Sequence, residues 1–435
     1  MTAEWKEDET LRDSLAKYVA EQVKREELVD VMRVEYPWYE WSVRTLGRRL
    51  GHFGIRYINY DTPLEDVIDA VQKEVNGPGK LLGYRALNTK LRMEHGIKVP
   101  RHLTHNVMKR VDPEGLESRR KGKKRKKRGV FSSDGPMYLL SLDGHDKMYG
   151  YQKWMYPLGV YGCLDTFSRK VIFLTVIPSN SDPDVIGNLF LNYLKESLIL
   201  PNYLRVDRGT ETGKMATMQT YLANELQLFD EPTDSVIYGV STSNKIERFW
   251  RDLHERMELY FKNQLNCLRH NKEYLENVEF HREMVAYIYI PVLQRECDTF
   301  ARYWNAHRIR HQPNTDIPAG IPNVLFSCPE REGYATQGTP ITQEMIADVE
   351  FVSGLSSEVE DYVQKYMENE LWELCCHYLP NPQELEGDDV MEAYRYLKHK
   401  IENENESSNV LTLPFSYVPD DEDCYNPGDE VSGDN

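Results

Sequence analysis

The chain has 435 residues and a mass of 51.0 kDa, which predicts two to four domains. Hydrophobic residues make up 40% and aromatic residues 11%, enough to build a sizeable core and to exclude wholesale disorder. No apolar run approaches the roughly 18 residues of a membrane span, and the amino end lacks the apolar core of a secretory signal. Seven cysteines without a C-x-x-C pair argue against a disulfide scaffold and a clustered zinc site, so we expect a reduced, soluble, intracellular protein.

The formal net charge of −17 is unevenly distributed along the chain. Residues 341–435 hold 24 acidic and 4 basic side chains, a net of −20, so the preceding 340 residues carry +3. The last 34 residues, from Glu402, carry ten acids and neither Lys nor Arg. This composition predicts a disordered acidic tail that could compete with DNA for a basic surface, and its partner stays open.

The amino-terminal region is predicted to be helical. Apolar residues at helical spacing from Leu11 to Val23 predict one helix within residues 1–35. In residues 36–118, a possible cap at Ser42 begins one short helix, and two helical halves joined at Gly96 and Pro100 form a second unit. Both units suggest helix-turn-helix folds, whose second helix would bring Lys109 and Arg110 to DNA. Small three-helix folds that bind no DNA are an alternative.

A dense basic segment follows, in which nine of the ten residues 119–128 are Lys or Arg. Like charges at this density repel one another, so residues 119–135 are predicted to form a flexible linker. The segment is either a solubilising spacer, a nuclear localisation signal or a contact to the DNA backbone; we predict a nuclear protein. The basic residues are Arg119, Arg120, Lys121, Lys123, Lys124, Arg125, Lys126, Lys127 and Arg128.

From residue 136 the pattern changes to short apolar strands. Three strands, a helix, a strand, a helix, a strand and a long helix from a Ser243 cap make up the predicted order. This order is that of a ribonuclease-H-like α/β fold. The predicted strands are 137–146, 159–166, 170–177, 203–207 and 235–240. We assign residues 136–325 to this core, 326–401 to a carboxyl-terminal helical region and 402–435 to the acidic tail.

Three carboxylates occupy notable positions in this pattern. Asp143 interrupts an apolar strand, Asp207 ends a later strand, and Glu247 lies in the first turn of the long helix. An acid in an apolar strand is costly unless it is paired or bound to a cation. Spacing alone proves nothing in a chain with 70 acidic residues, and each could instead be a cap, a turn residue or half of a salt bridge.

Five segments in chain order resemble the integrase core of retroviruses, retrotransposons and cut-and-paste transposases, and most closely the integrase-core proteins of animal and fungal genomes. The first, second and fourth segments match the aspartate-bearing strand, the D-x-F-S-R strand-turn-strand and the N-x-x-x-E-R helix of that family. The segments are LDGHDK (142–147), LDTFSRKVIFL (164–174), LRVDRGTE (204–211), STSNKIERFWRDLH (241–254) and YWNAHRIRHQPNTDIPAGIP (303–322).

The resemblance implies a DDE-type site for DNA cleavage and strand transfer. Asp143, Asp207 and Glu247 would hold two Mg²⁺ or Mn²⁺ ions, because hard cations prefer oxygen ligands. Lys245 and Arg248 beside Glu247 either contact phosphates or form ion pairs. The family's D-x-F-S-R motif makes Asp165, with Ser168 and Arg169, structural. Joining two DNA ends needs at least a dimer, so a homo-oligomer is implied.

The sequence departs from retroviral integrases in having no H-x-x-x-H…C-x-x-C zinc module before the core and in its long acidic carboxyl region. Three functions stay open. The protein is an active, metal-dependent integrase or transposase, or a domesticated, catalytically silent DNA- or chromatin-binding descendant. In the third, it is a DNA-binding regulator in which the core serves only as an oligomerising scaffold.

Overall fold

The computed structural model describes residues 4–118, 133–146, 148, 155–239, 246–311, 317–355 and 361–407. Within these ranges the side chain of Glu247 is also outside the description. The predicted basic linker therefore lies almost entirely outside the described residues, as do Ser243, Lys245 and most of the acidic tail. None of the described helices is long and apolar enough to cross a membrane.

The first three helices form a small helical layer. They are α1 (Glu9–Ala20), α2 (Arg25–Glu35) and α3 (Val43–His52). The prediction of a single helix over this region is wrong, because Gln22 adopts a left-handed φ of 60° and the chain turns there. The apolar period continued through Val23 because Val23 is buried at the turn itself. The cap at Ser42 is confirmed, since its hydroxyl accepts a hydrogen bond from the Thr45 amide.

A second group of helices follows and contains the two predicted halves. They are α4 (Leu64–Asn76), α5 (Tyr84–Glu94), α6 (Arg101–Val111) and α7 (Pro113–Ser118). Gly96, with φ of 66°, lies in the turn between α5 and α6, and Pro100 immediately precedes α6. Asn88 joins the two helices, because its buried amide donates to the Val99 carbonyl (3.1 Å) and to Thr104 Oγ1 (2.9 Å).

The central sheet has five strands, as predicted for a ribonuclease-H-like core, and they lie in the order β3-β2-β1-β5-β6. β1 and β2 are antiparallel, as are β2 and β3, whereas β5 is parallel to both β1 and β6. The elements of this part are β1 (Leu139–His145), β2 (Gly159–Asp165), β3 (Val171–Ile177), α8 (Pro183–Ser197), β4 (Ile199–Leu200), β5 (Tyr203–Val206), α9 (Gly213–Glu225) and β6 (Val236–Tyr238).

A long helical segment then crosses one face of the sheet. It consists of α10 (Ile246–Leu253), one π-helical turn (His254–Glu258) and α11 (Leu259–His270), and it is followed by α12 (Glu279–Ala306). The predicted apolar stripe of the first part is confirmed, because all four of its residues are buried. They are Ile246, Trp250, Leu253 and Met257.

Short helices complete the chain, as predicted for the carboxyl-terminal region. They are α13 (Pro322–Ser327), α14 (Gln343–Ser353), α15 (Tyr362–Tyr366), α16 (Asn369–Tyr378) and α17 (Val390–Ser407), and the short strand β7 (Thr339–Pro340) pairs with β4.

Three hydrophobic cores hold these elements together. The core on one sheet face combines α10–α12 with α4–α6 and α15–α17. The core on the other face is built with α8, α9 and α14, and a third core joins α1–α3 to α13. β1 follows the period of two, because Leu140 and Leu142 enter the α8/α9 core while Asp143 faces α10. The alternation of β1 thereby places a carboxylate under the helix that carries Glu247.

Candidate active site

Asp143 lies on β1, and Asp207 lies one residue beyond the end of the neighbouring parallel strand β5. The pairing of β1 with β5 matches Ser141 to Arg205, and each aspartate lies two residues further along. Residues matched in this way point to the same face of a sheet, on strands about 4.8 Å apart. The chain therefore brings two of the three predicted acids together, although 63 residues separate them in the sequence.

Asp143 is held in an environment that disfavours its charge. The pKa of Asp143 is raised to about 7, chiefly by burial and also by the negative charge of Asp207, while a hydrogen bond from Trp250 opposes the shift. In that bond Trp250 Nε1 donates to Asp143 Oδ2 at 3.0 Å. A buried carboxylate whose ionisation is penalised, next to a second carboxylate, suits a bound divalent cation, which would neutralise the negative charge.

Trp250 reaches Asp143 because the facing strand makes room for its ring. Gly162 on β2 is the partner of Asp143 in the sheet register. A Cβ at Gly162 would lie 2.7 Å from Trp250 Cη2, which no side chain tolerates without displacement. Glycine at this position therefore permits the close packing of α10 against the centre of the sheet.

Glu247 lies in the first turn of α10, three residues before Trp250. The Trp250–Asp143 contact brings this end of the helix against β1, but the Glu247 side chain lies outside the described residues. Arg248 is on the same helix and exposed, whereas Lys245 precedes the described part of the helix. The catalytic roles assigned to these residues stay predictions.

Asp165 is fully buried in the turn that joins β2 to β3. Its carboxylate accepts hydrogen bonds from the Met137 amide (2.9 Å), the Ser168 amide (2.7 Å) and Ser168 Oγ (2.5 Å). Arg169 adopts φ of 63° in the same turn, and its guanidinium donates to the Pro318 carbonyl (2.6 Å). These contacts tie the turn to Met137 before β1 and to Pro318 near the end of the core, and the structural role assigned to Asp165, Ser168 and Arg169 stays a prediction.

A cluster that the sequence analysis missed lies beside the two aspartates. The histidine cluster consists of His145 at the end of β1, and His254 and Glu258 in the π-helical turn. Glu258 Oε2 is 2.9 Å from His145 Nε2 and 3.0 Å from His254 Nδ1. Burial acts to raise the pKa of Glu258, but the charge and hydrogen bond of His145 and the hydrogen bond of His254 bring it below its usual value.

Two patterns could have indicated this cluster. His145 follows Asp143 by two residues and so shares its sheet face, while His254 and Glu258 have the i,i+4 spacing of one helix face. Neither pattern shows that the helix crosses the strand at this point. The ring of His145 stacks on Trp250 with centroids 4.8 Å apart, which links the cluster to the Trp250–Asp143 contact.

The predicted DNA contacts are only partly within the described residues. Lys109 and Arg110 lie in the last turn of α6 and are both exposed. Arg101, His102 and Asn106 are exposed on the same helix, whereas Thr104, Val107 and Met108 are buried. α6 therefore presents a polar, basic surface to solvent. Residues 119–128 lie outside the description.

Comparison with known families agrees with this geometry. Residues 130–321 match the family model of the integrase core domain. The matched range covers the five-stranded sheet, both aspartates, Glu247 and α12. No curated protein matches the chain significantly. The match supports an integrase- or transposase-like family and suggests nucleic-acid binding, while the predicted closeness to animal and fungal proteins stays a prediction.

Proposed function

We propose that this integrase core-domain protein binds DNA and catalyses metal-dependent phosphodiester cleavage and strand transfer. The observation that carries the proposal is the register of the parallel strands β1 and β5, which brings Asp143 and Asp207 to neighbouring positions, with Asp143 beneath the helix that bears Glu247. A fold kept only for binding has no physical need to hold a buried acid such as Asp143 next to a second acid.

The donor set of the site fits Mg²⁺ or Mn²⁺. Asp143 and Asp207, with Glu247 as the third acid, would supply only carboxylate oxygens, which these cations prefer. When bound, two such ions supply a charge that activates an attacking hydroxyl and stabilises the leaving oxygen. Within the chain, Asp143 and Asp207 would hold the ions, and Trp250 would orient the Asp143 carboxylate through its Nε1–H.

DNA would be held by basic residues that precede the core in the chain and by others beside Glu247. α6, with Lys109 and Arg110, would contact one part of the duplex, and the basic segment 119–128 would contact the phosphate backbone. Arg248 and Lys245 would lie closest to the scissile phosphate. We further propose a nuclear location, directed by the same basic segment, and a homo-oligomer that brings two DNA ends together. Microscopy of a fluorescent fusion from which residues 119–128 are deleted would test the nuclear location.

The decisive experiment measures nicking and strand transfer on a labelled branched DNA in Mn²⁺. A branched substrate lowers the dependence on the terminal sequences that the protein recognises. The wild-type chain is compared with Asp207→Asn, and with Asp234→Asn as a matched control, because Asp234 is an exposed acid in a surface turn. We expect activity in the wild type and the control and none in Asp207→Asn.

Inactivity of all three proteins would overturn the catalytic proposal. If DNA binding then persists and weakens with salt, the domesticated, catalytically silent function is the correct one. Equal activity in wild type and Asp207→Asn would show that the cleavage arises elsewhere, and so would contradict the assignment of the site.

A further inference from the structure

The histidine cluster joins the two elements that carry Asp143 and Glu247. His145 belongs to β1, and His254 and Glu258 belong to the helical segment that begins at Ile246. One ligand-type atom from each of the three residues lies within 4.8 Å of the other two. The three groups therefore converge on one point from two separate elements. A single hydrogen bond would bring together only two of the three residues.

Glu258 is the least usual member of this cluster. It is fully buried, and its Oε1 has no hydrogen-bond partner among the described residues. Only Oε2 is engaged, by both imidazoles. A buried carboxylate oxygen without a partner costs about 1–3 kcal/mol, and more when the group is charged. The hydrogen bonds of the cluster therefore leave part of the Glu258 charge uncompensated.

We propose that His145, His254 and Glu258 form a binding site for a transition-metal ion of the Zn²⁺ class, distinct from the carboxylate pair. Two imidazoles and one carboxylate are a ligand set that Zn²⁺ takes readily, with a fourth position left for water. At bond lengths of about 2.0–2.1 Å, tetrahedral ligand atoms are separated by roughly 3.3 Å. The separations of 2.9 and 3.0 Å from Glu258 Oε2 need to open by a few tenths of an ångström, while the two imidazole nitrogens, which lie within 4.8 Å of each other, need to approach by at most about 1.5 Å.

The position of the cluster indicates what such an ion would do. An ion bound there would connect the helical segment to β1 at His145, two residues beyond Asp143. The ion would enter the site past His254, whose side chain is partly exposed. His145 also stacks on Trp250, which donates to Asp143. The ion would therefore stabilise the relative position of the strand and helix that carry Asp143 and Glu247.

The test uses the full chain, stripped of metal and held in millimolar Mg²⁺ so that the carboxylate pair is occupied. Zn²⁺ is titrated by calorimetry, and bound metal is counted by mass spectrometry. We expect one equivalent of Zn²⁺ in the wild type and at least a tenfold loss of affinity in His254→Gln and in Glu258→Gln. Asp207→Asn is the matched control and should bind Zn²⁺ as the wild type does.

A second measurement serves if the variants do not fold. X-ray absorption at the zinc edge of the loaded wild type should show two imidazole ligands. Three results would overturn the proposal: a shell of oxygen ligands alone, an absence of Zn²⁺ binding, or unchanged binding in folded His254→Gln. The cluster would then be only a hydrogen-bonded contact between β1 and the helical segment. These measurements need no DNA, so their outcome is independent of whether the protein cuts or joins strands.

Discussion

At the scale of single residues, Asp143 makes the metal-free protein sensitive to pH. Its pKa is raised from an ordinary value near 4 to about 7, so the folded chain keeps the proton over a range in which the unfolded chain has lost it. Stability is therefore greatest below pH 4 for this group and falls as the pH rises towards 7. At about 1.4 kcal/mol per pKa unit, the loss is up to about 4 kcal/mol.

Asp143→Asn should accordingly stabilise the metal-free protein at pH 8, because asparagine carries no charge to bury. The measurement is urea unfolding of wild type and variant at pH 5 and pH 8 in EDTA. We expect a gain of about 1–4 kcal/mol at pH 8 that shrinks at pH 5. In millimolar Mg²⁺ the wild type alone should gain stability. A variant less stable than wild type at pH 8 would show that the buried charge of Asp143 does not destabilise the folded protein.

Trp250 is predicted to position Asp143. Trp250→Phe keeps an aromatic ring under the helix but removes the Nε1–H that donates to Asp143 Oδ2. Because that hydrogen bond favours the charged carboxylate, its loss should raise the pKa of Asp143 further.

We therefore expect the Mn²⁺ concentration for half-maximal nicking to rise about tenfold, and the acid limb of the pH profile to move to higher pH. The measurement is a metal titration of nicking at several pH values. An unchanged metal requirement in a folded Trp250→Phe protein would contradict the positioning role.

At the scale of elements, the β2–β3 turn depends on Asp165. Its carboxylate accepts two amide hydrogen bonds and one from Ser168 Oγ while fully buried. Asparagine has one acceptor oxygen and places an NH₂ against an amide donor, so Asp165→Asn should destabilise the protein by about 2–4 kcal/mol. Thermal or urea unfolding measures this change.

Ser168→Ala is the matched comparison for that prediction. It removes only the hydroxyl donor and should cost about 1 kcal/mol. If Asp165→Asn unfolds like the wild type but abolishes metal-dependent activity, Asp165 belongs to the metal site and the structural interpretation is wrong.

The elements that the sequence predicted best are those whose pattern is local. The strands of the sheet and the capped helix after Ser42 follow from alternation, from helical spacing and from turn residues at their ends. The single helix predicted before residue 36 failed because helical spacing continues across the turn at Gln22, where the left-handed φ leaves no compositional signal. Local patterns identify elements but not all of their breaks.

The sequence predicted which residues of the candidate site lie on a given strand or helix, but not the contacts that form between these elements. Asp143 and Asp207 follow from their positions in apolar strands together with the family resemblance. The hydrogen bond of Trp250 and the meeting of His145 with Glu258 depend on where the helix crosses the sheet. That crossing is set by packing around Gly162, between residues 88 to 113 positions apart, which no periodicity in the chain records.

At the scale of the whole molecule, the hydrophobic core of the integrase core domain includes side chains from helices outside that domain. The face of the sheet covered by α10–α12 is completed by apolar residues from α4–α6 and from α15–α17. Polar contacts follow the same route. Tyr287 on α12 donates to the Leu379 carbonyl (2.7 Å), and Arg295 donates to the carbonyls of Gln383 (2.6 Å) and Leu385 (2.5 Å). The carboxyl-terminal helices therefore cover one side of this hydrophobic core.

A chain ending at residue 355 should consequently fail to fold cooperatively. It loses nine buried residues, and the six Val, Met, Leu and Ile side chains among them are each worth about 1.5–3 kcal/mol, so that their sum of roughly 9–18 kcal/mol matches the ~5–15 kcal/mol that stabilises a typical domain. The residues are Val363, Met367, Leu371, Cys375, Val390, Ala393, Tyr394, Leu397 and Ile401. A chain ending at residue 407 keeps all of them and serves as the control.

Circular dichroism melts and binding of a hydrophobic dye compare the two truncations with the full chain. We expect the chain ending at 407 to melt in one transition, as the full chain does. The chain ending at 355 should bind dye and melt without a defined transition, because the α12 surface is exposed. A sharp transition in the shorter chain, with little dye bound, would show that residues 4–355 complete their own core and that α15–α17 are an appendage.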